Sequence, residues 1–124
     1  RVQLVTLAET TPVNETVETA FALEEDIGVA LAPVVVNRLA PTSPPPLPPT
    51  AALIGSDVDL AAPAAALDEA LDHLHRRGAS QDTEVARLAQ ELPLPQLRLR
   101  EHSDGQALLT ALTHELERAI GALR

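Results

Sequence analysis

Lysine, cysteine, methionine, tryptophan and tyrosine are all missing from these 124 residues, and phenylalanine occurs once, at Phe21. Each gap excludes something. Without cysteine there is no disulfide and no thiolate metal site, a usage that suits a reducing compartment and predicts a cytoplasmic protein. Without lysine there is no Schiff base and no lysine to hold a phosphate; all nine basic residues are arginine. Neither G-x-x-x-x-G-K-[ST] nor G-x-G-x-x-G occurs, so the chain has no local phosphate cradle of its own. No apolar run approaches the length of a membrane span, and the first residues lack a signal-peptide pattern.

The scarcity of aromatics bears on stability. Apolar residues make up 45% of the chain, but they are almost all Ala, Leu and Val. Aromatic side chains bring the largest buried areas to most cores, and a core of Leu and Val alone has little margin. A compact domain of this size buries roughly two-thirds of its unfolded surface. The composition therefore predicts a piece that leans on more protein, covalently or across an interface. The formal net charge of −9 runs against a nucleic-acid or anionic-membrane partner.

Residues 2–7, VQLVTL, are short, β-rich and mostly apolar, and read as a buried strand. Thr11 and Pro12 then supply a helix start, with Thr11 as N-cap and Pro12 in the first turn. Val13, Val17, Ala20 and Phe21 recur at helical spacing, with Glu15, Glu18, Glu24 and Glu25 facing outward and Gly28 ending the helix. Pro33 leads into Val34-Val35-Val36, a second buried strand. Strand, helix, strand in this space is the pattern of a parallel βαβ crossover.

Residues 41–50 hold six of the eleven prolines and read as an extended linker or surface loop rather than as a ligand for a proline-reading module. Leu67, Leu71 and Leu74 then mark a helix that Gly78 is expected to stop. Ser80 or Asp82 caps the next, whose stripe is Val85, Leu88, Ala89 and Leu92. Pro93 and Pro95 end it, and residues 96–100, QLRLR, alternate like a strand with one buried face. Ser103 to Gln106 has a capping-box pattern, and the helix it opens carries Leu109, Leu112, Leu116, Ile120 and Leu123 on one side. Three regions result: a βαβ unit over 1–40, the proline-rich segment 41–50, and helical segments with one strand and a final helix over 51–124.

The chemistry-bearing side chains are sparse. His73 and His75 stand two apart on a predicted helix and point in different directions, so they do not share a metal. With His102 and His114 they read as solvated. His102-Ser103-Asp104 has the composition of a triad, but adjacent residues seldom present triad geometry, and capping accounts for Ser103. Asp57 and Asp59 offer two carboxylates to a cation, too few for a built site.

One pattern is more specific. Residues 4–16, LVTLAETTPVNET, followed by residues 34–41, VVVNRLAP, resemble the C-terminal half of the arsenite-pump and tail-anchored-protein-targeting ATPases, deviant-Walker P-loop proteins with bacterial members. Arg76-Arg77 with Gln81, and residues 92–99, LPLPQLRL, are similar to that family's next helix and strand. The resemblance implies an α/β fold: part of a doubly wound, mostly parallel sheet with flanking helices, its N-terminal P-loop half lying outside these residues. It also implies an ATPase parent that uses ATP and Mg2+ and pairs as a homo- or heterodimer with a related subunit, with a membrane-protein client as a further possible partner. It sets Asn37, at the end of the second strand, against the adenine ring. A side-chain amide suits that task, since it matches the donor and acceptor edge of a purine.

The chain also departs from the family. Ala8 stands where a proline follows the leucine matched by Leu7, Arg100 replaces a proline beside the adenine, and the targeting ATPases' zinc-binding cysteine pair is absent. These departures keep a second reading open: a non-catalytic, degenerate subunit that pairs with an active ATPase and binds no nucleotide. On either reading the chain alone lacks the residues of an ATPase.

Overall fold

A computed structural model describes residues 1–41, 61–101 and 105–121. Its elements run β1 (Val5–Leu7), α1 (Thr10–Glu25), β2 (Val34–Leu39), α2 (Ala61–Glu91), β3 (Gln96–Arg100) and α3 (Gly105–Gly121). The three strands form one parallel sheet in the order β1-β2-β3, with Val5 opposite Val35 and Val35 opposite Leu97. The fold is α/β, a parallel sheet with flanking helices.

Side-chain alternation explains why the helices lie where they do. Val34 and Val36 in β2 point to one face and are almost wholly buried, and Thr6 shares that face by register with Val36. Helices α1 and α2 cover it. Their contribution to the core is Val13 and Ala20 from α1 and Val85 and Leu88 from α2, with Leu92 just beyond its end and with Ala8 and Leu39. Full burial of an aliphatic side chain such as Leu88 stabilises by roughly 1.5–3 kcal/mol, so this small, aromatic-free cluster carries most of the fold.

Several expectations are corrected here. The first strand is shorter than residues 2–7; Val2 instead makes an isolated parallel bridge to Leu31. Helix α1 begins at Thr10, with Glu9 at the N-cap position and no side-chain cap, so Thr11 is not the cap. The Thr10 hydroxyl is used otherwise, donating to Glu84 Oε1 at 3.1 Å. Phe21 is 45% exposed, because Val13, Thr16 and Ala20 form the buried edge of α1 and turn position 21 away. Thr16 tolerates burial by donating its hydroxyl to Pro12 O at 2.7 Å.

Gly78 does not stop a helix. Helix α2 runs unbroken through it, merging the two expected helices into one of 31 residues. Leu67, Leu71 and Leu74 are half-buried on its first part, while Val85 and Leu88 are buried on its second, where Ala89 is exposed; Leu92, just past the helix, is buried too. The strand over 96–100 forms as expected, with Leu97 and Leu99 buried on the face opposite α1 and α2. Helix α3 packs against β3, and Glu115 Oε2 accepts the Arg100 N–H at 3.0 Å. Of the apolar stripe on α3, Leu112 is half-buried, while Leu109 is 73% and Ile120 49% exposed. Leu123, the proline-rich stretch beyond Pro41, the Asp57/Asp59 pair and the His102 to Asp104 segment lie outside the described residues.

An arginine fastens α1 to α2. Arg87 donates to Glu84 Oε2 at 2.7 Å, Asn14 Oδ1 at 2.8 Å, Glu91 Oε1 at 3.2 Å and Thr10 O at 3.2 Å. The planar guanidinium, with five donors, suits such a node better than a flexible ammonium. Its hydrogen bond, then the one from Thr10, holds the Glu84 carboxyl below the usual range, and Arg87 is pushed up in return.

Candidate functional site

Because all three strands are parallel, their carboxyl ends open on the same side of the sheet. In open α/β sheets this is where ligands bind, in the crevice beyond the strand ends. Leu7, Leu39 and Arg100 end the strands there.

Asn37 lies two residues before the end of β2, opposite Leu7 in register and on the face away from α1 and α2. Its Oδ1 accepts the Arg38 N–H at 2.9 Å. That bond uses the amide's acceptor and leaves its two N–H donors without an acceptor among the described residues. Asn37 lines a groove of about 430 Å³ along β1, with Val5, Leu7, Pro12, Thr16 and Thr19. A second crevice of about 300 Å³ lies across the strand end, lined by Leu7, Glu9, Arg38, His73, Arg77 and Gln81.

Between them sits a backbone feature absent from the sequence reading. Arg38 has φ 56°, the one non-glycine residue in the left-handed region among those described. For a residue with a Cβ this conformation costs roughly 1–2 kcal/mol and persists only where surrounding bonds hold it. Those bonds are present. Gln81 Nε2 and Arg77 Nη2 each donate to Arg38 O at 3.2 Å. Gln81 Oε1 accepts the Ala40 N–H at 2.7 Å, and Arg100 Nη1 donates to Ala40 O at 2.8 Å. Glu101 N–H closes the turn on Leu39 O at 2.8 Å.

The charges around the turn balance locally. The Glu101 carboxylate bridges Arg77 at 2.9 Å and Arg38 at 3.4 Å, and hydrogen bonding, first from Arg77 and then from Arg38, lowers its pKa. The pair is exposed enough for water to screen it, so its worth lies in geometry more than in stability. Arg100 is not free to meet a ligand with its whole side chain, since Nη1 is tied to Ala40 O. His73, His75 and His114 are exposed, as their positions predict, and no cluster of three metal-ligating side chains occurs among the described residues.

Gln81 and Glu101 escaped the sequence reading as parts of a site. Gln81 did leave a signal. It precedes Val85, Leu88 and Leu92 by four, seven and eleven residues, so a long polar side chain stands on the buried stripe of α2. Such a residue needs partners for both ends of its amide. Glu101 left none, because its partners are distant in sequence.

No protein-family model matches the chain, and no curated protein matches it. No helix among the described residues is long and apolar enough to cross a membrane.

Proposed function

We propose that this chain is the C-terminal portion of an ATPase of the arsenite-pump and tail-anchored-targeting type, contributing strands to a larger, doubly wound sheet and the adenine side of its nucleotide site. The observation that carries this reading is Asn37, half-buried at the carboxyl end of a parallel strand, with two amide donors left over and a groove beside it. The residues fit part of the ligand. An amide at that place suits the edge of a purine, whereas the chain has neither the lysine nor the glycine-rich loop that cradles the phosphates in this kind of ATPase. Those groups fall to an N-terminal half or a partner subunit.

The sheet supports such a complement. Parallel sheets are ordinarily covered on both faces, yet here Val5 is 62% exposed on the face opposite α1 and α2, and β1 has no neighbour beyond its outer edge among the described residues. Cytoplasmic placement, dimerisation with a related subunit and a membrane-protein client belong to the same proposal.

Equilibrium ATP binding by the full-length protein tests it. Submillimolar affinity is expected, and Asn37→Ala weakens it about tenfold, the equivalent of about 1.4 kcal/mol. Arg100 favours the second reading, a partner subunit without nucleotide, because its side chain fastens the turn where the family has a proline. Absence of ATP binding in the wild type, with retained pairing to an active ATPase, would establish that reading instead.

A further inference from the structure

The structure assigns Gln81 the part of a positioning residue: its buried amide holds the turn after β2 in a left-handed conformation and thereby fixes where Asn37 faces. The inference rests on the reading of Asn37 as a base-binding group only for its functional consequence; the clamp itself is independent of that reading.

Gln81 is 6% exposed, and both ends of its amide are spent on one turn, Nε2 on Arg38 O and Oε1 on Ala40 N. Its two contacts span the residues on either side of Leu39, so they fix the backbone from the strained position to the strand's exit. A backbone N–H satisfies only the carbonyl; the glutamine, with a donor and an acceptor on one amide, satisfies both groups from the buried side of α2. Arg77 donates to the same Arg38 carbonyl and Arg100 to the Ala40 carbonyl, but each is also engaged elsewhere, Arg77 with Glu101 and Arg100 through its own N–H with Glu115. Gln81 alone reaches the turn from the buried stripe. The Arg38 N–H bonded to Asn37 Oδ1 is the link from clamp to ligand group. If φ at Arg38 relaxes to negative values through a flip of the Asn37–Arg38 peptide plane, that N–H turns with the plane and the amide of Asn37 loses its orientation.

The test follows amide hydrogen exchange in the full 124-residue chain. Gln81→Ala is expected to speed exchange at the Arg38 amide, which Gln81 does not touch, by about tenfold, as for local opening. Val35 and Val36 should change far less. Arg38→Gly combined with Gln81→Ala should return the side-chain amide of Asn37, read by its chemical shifts, toward the wild type, because glycine takes positive φ without cost. Unchanged exchange at Arg38, or a uniform rise across β2, overturns the inference, as does a double variant no closer to wild type than the single one. ATP titration of the full-length wild type and Gln81→Ala runs beside it. A loss of about tenfold or more in affinity (about 1.4 kcal/mol) supports the functional consequence, and equal affinities overturn that consequence. Wild type that binds no ATP removes the purine reading, and the exchange data then decide the clamp by themselves.

Discussion

Two carboxylates, Glu84 and Glu101, are held ionised by arginines, and this makes the fold sensitive to acid. Both pKa values are lowered in the folded chain, so the stability they add is fully present above the ordinary value of 4.5. It is lost as pH falls through the lowered folded values, because the unfolded chain then binds more protons. The urea midpoint of the wild type should accordingly fall on acidification below that value. Glu84→Gln keeps the shape of the side chain but removes the titration. It should be less stable than wild type at neutral pH and converge on it in acid, measured by urea titrations along a pH series. Parallel acid limbs for the two proteins would mean that Glu84 does not gain from Arg87. Arg38 belongs to the same scale: one strained residue, held by neighbours, sets the direction in which an amide two residues from the strand's end faces the groove along β1.

At the scale of elements, α2 is where sequence and structure part most clearly. Gly78 looks like a stop because glycine favours helix C-termini, yet the helix passes through it and shows no break. A Cβ built on Gly78 would meet the Ala40 Cβ at 4.0 Å, an ordinary contact. Gly78→Ala should therefore stabilise the chain by roughly 0.4–1 kcal/mol, by lowering the entropy of the unfolded state and improving helix propensity. The change in urea midpoint measures it; a loss of stability would mean that the helix approaches the turn after β2 more closely than 4.0 Å allows. The strands and the order β-α-β were legible because β-branched runs and proline boundaries are local signals, as at Val34-Val35-Val36 after Pro33. The caps were not legible. Thr11 had the right residue type, but Thr10 and Glu84, distant in sequence, settle a different start for α1. Phe21 was misplaced for a related reason: periodicity gives the spacing of a stripe, while neighbours decide which edge of it is buried. Of the candidate site, Asn37 was legible only through the resemblance, and the turn that orients it depends on contacts about forty residues away, from Gln81.

At the scale of the whole molecule, the two faces of the sheet are covered unequally: opposite α1 and α2, Leu97 and Leu99 are buried near α3, but the β1 side of that face is open. Helices α1 and α2 cover Val34 and Val36, whereas the opposite face keeps Val5 62% exposed, and α3 leaves Leu109 73% exposed. A charge of −9 works against self-association, while a bare parallel edge and aliphatic surface favour it. The apolar term should win at protein concentrations of about 10–100 μM, where a contact of only about 5–7 kcal/mol suffices. The 124-residue chain alone is thus expected to associate reversibly, a second copy taking the place of the complement that the proposed ATPase would supply. Sedimentation velocity over a concentration series measures this. Val5→Lys, at an exposed position, should alter folding stability by no more than about 0.5 kcal/mol and should shift the distribution toward monomer. Leu109→Glu separates the two surfaces: if it alone restores the monomer, α3 and not the sheet is the contact. A wild-type chain that stays monomeric throughout the series would mean that the open face needs no cover, and the case for a complementing half would then rest on the groove at Asn37 alone.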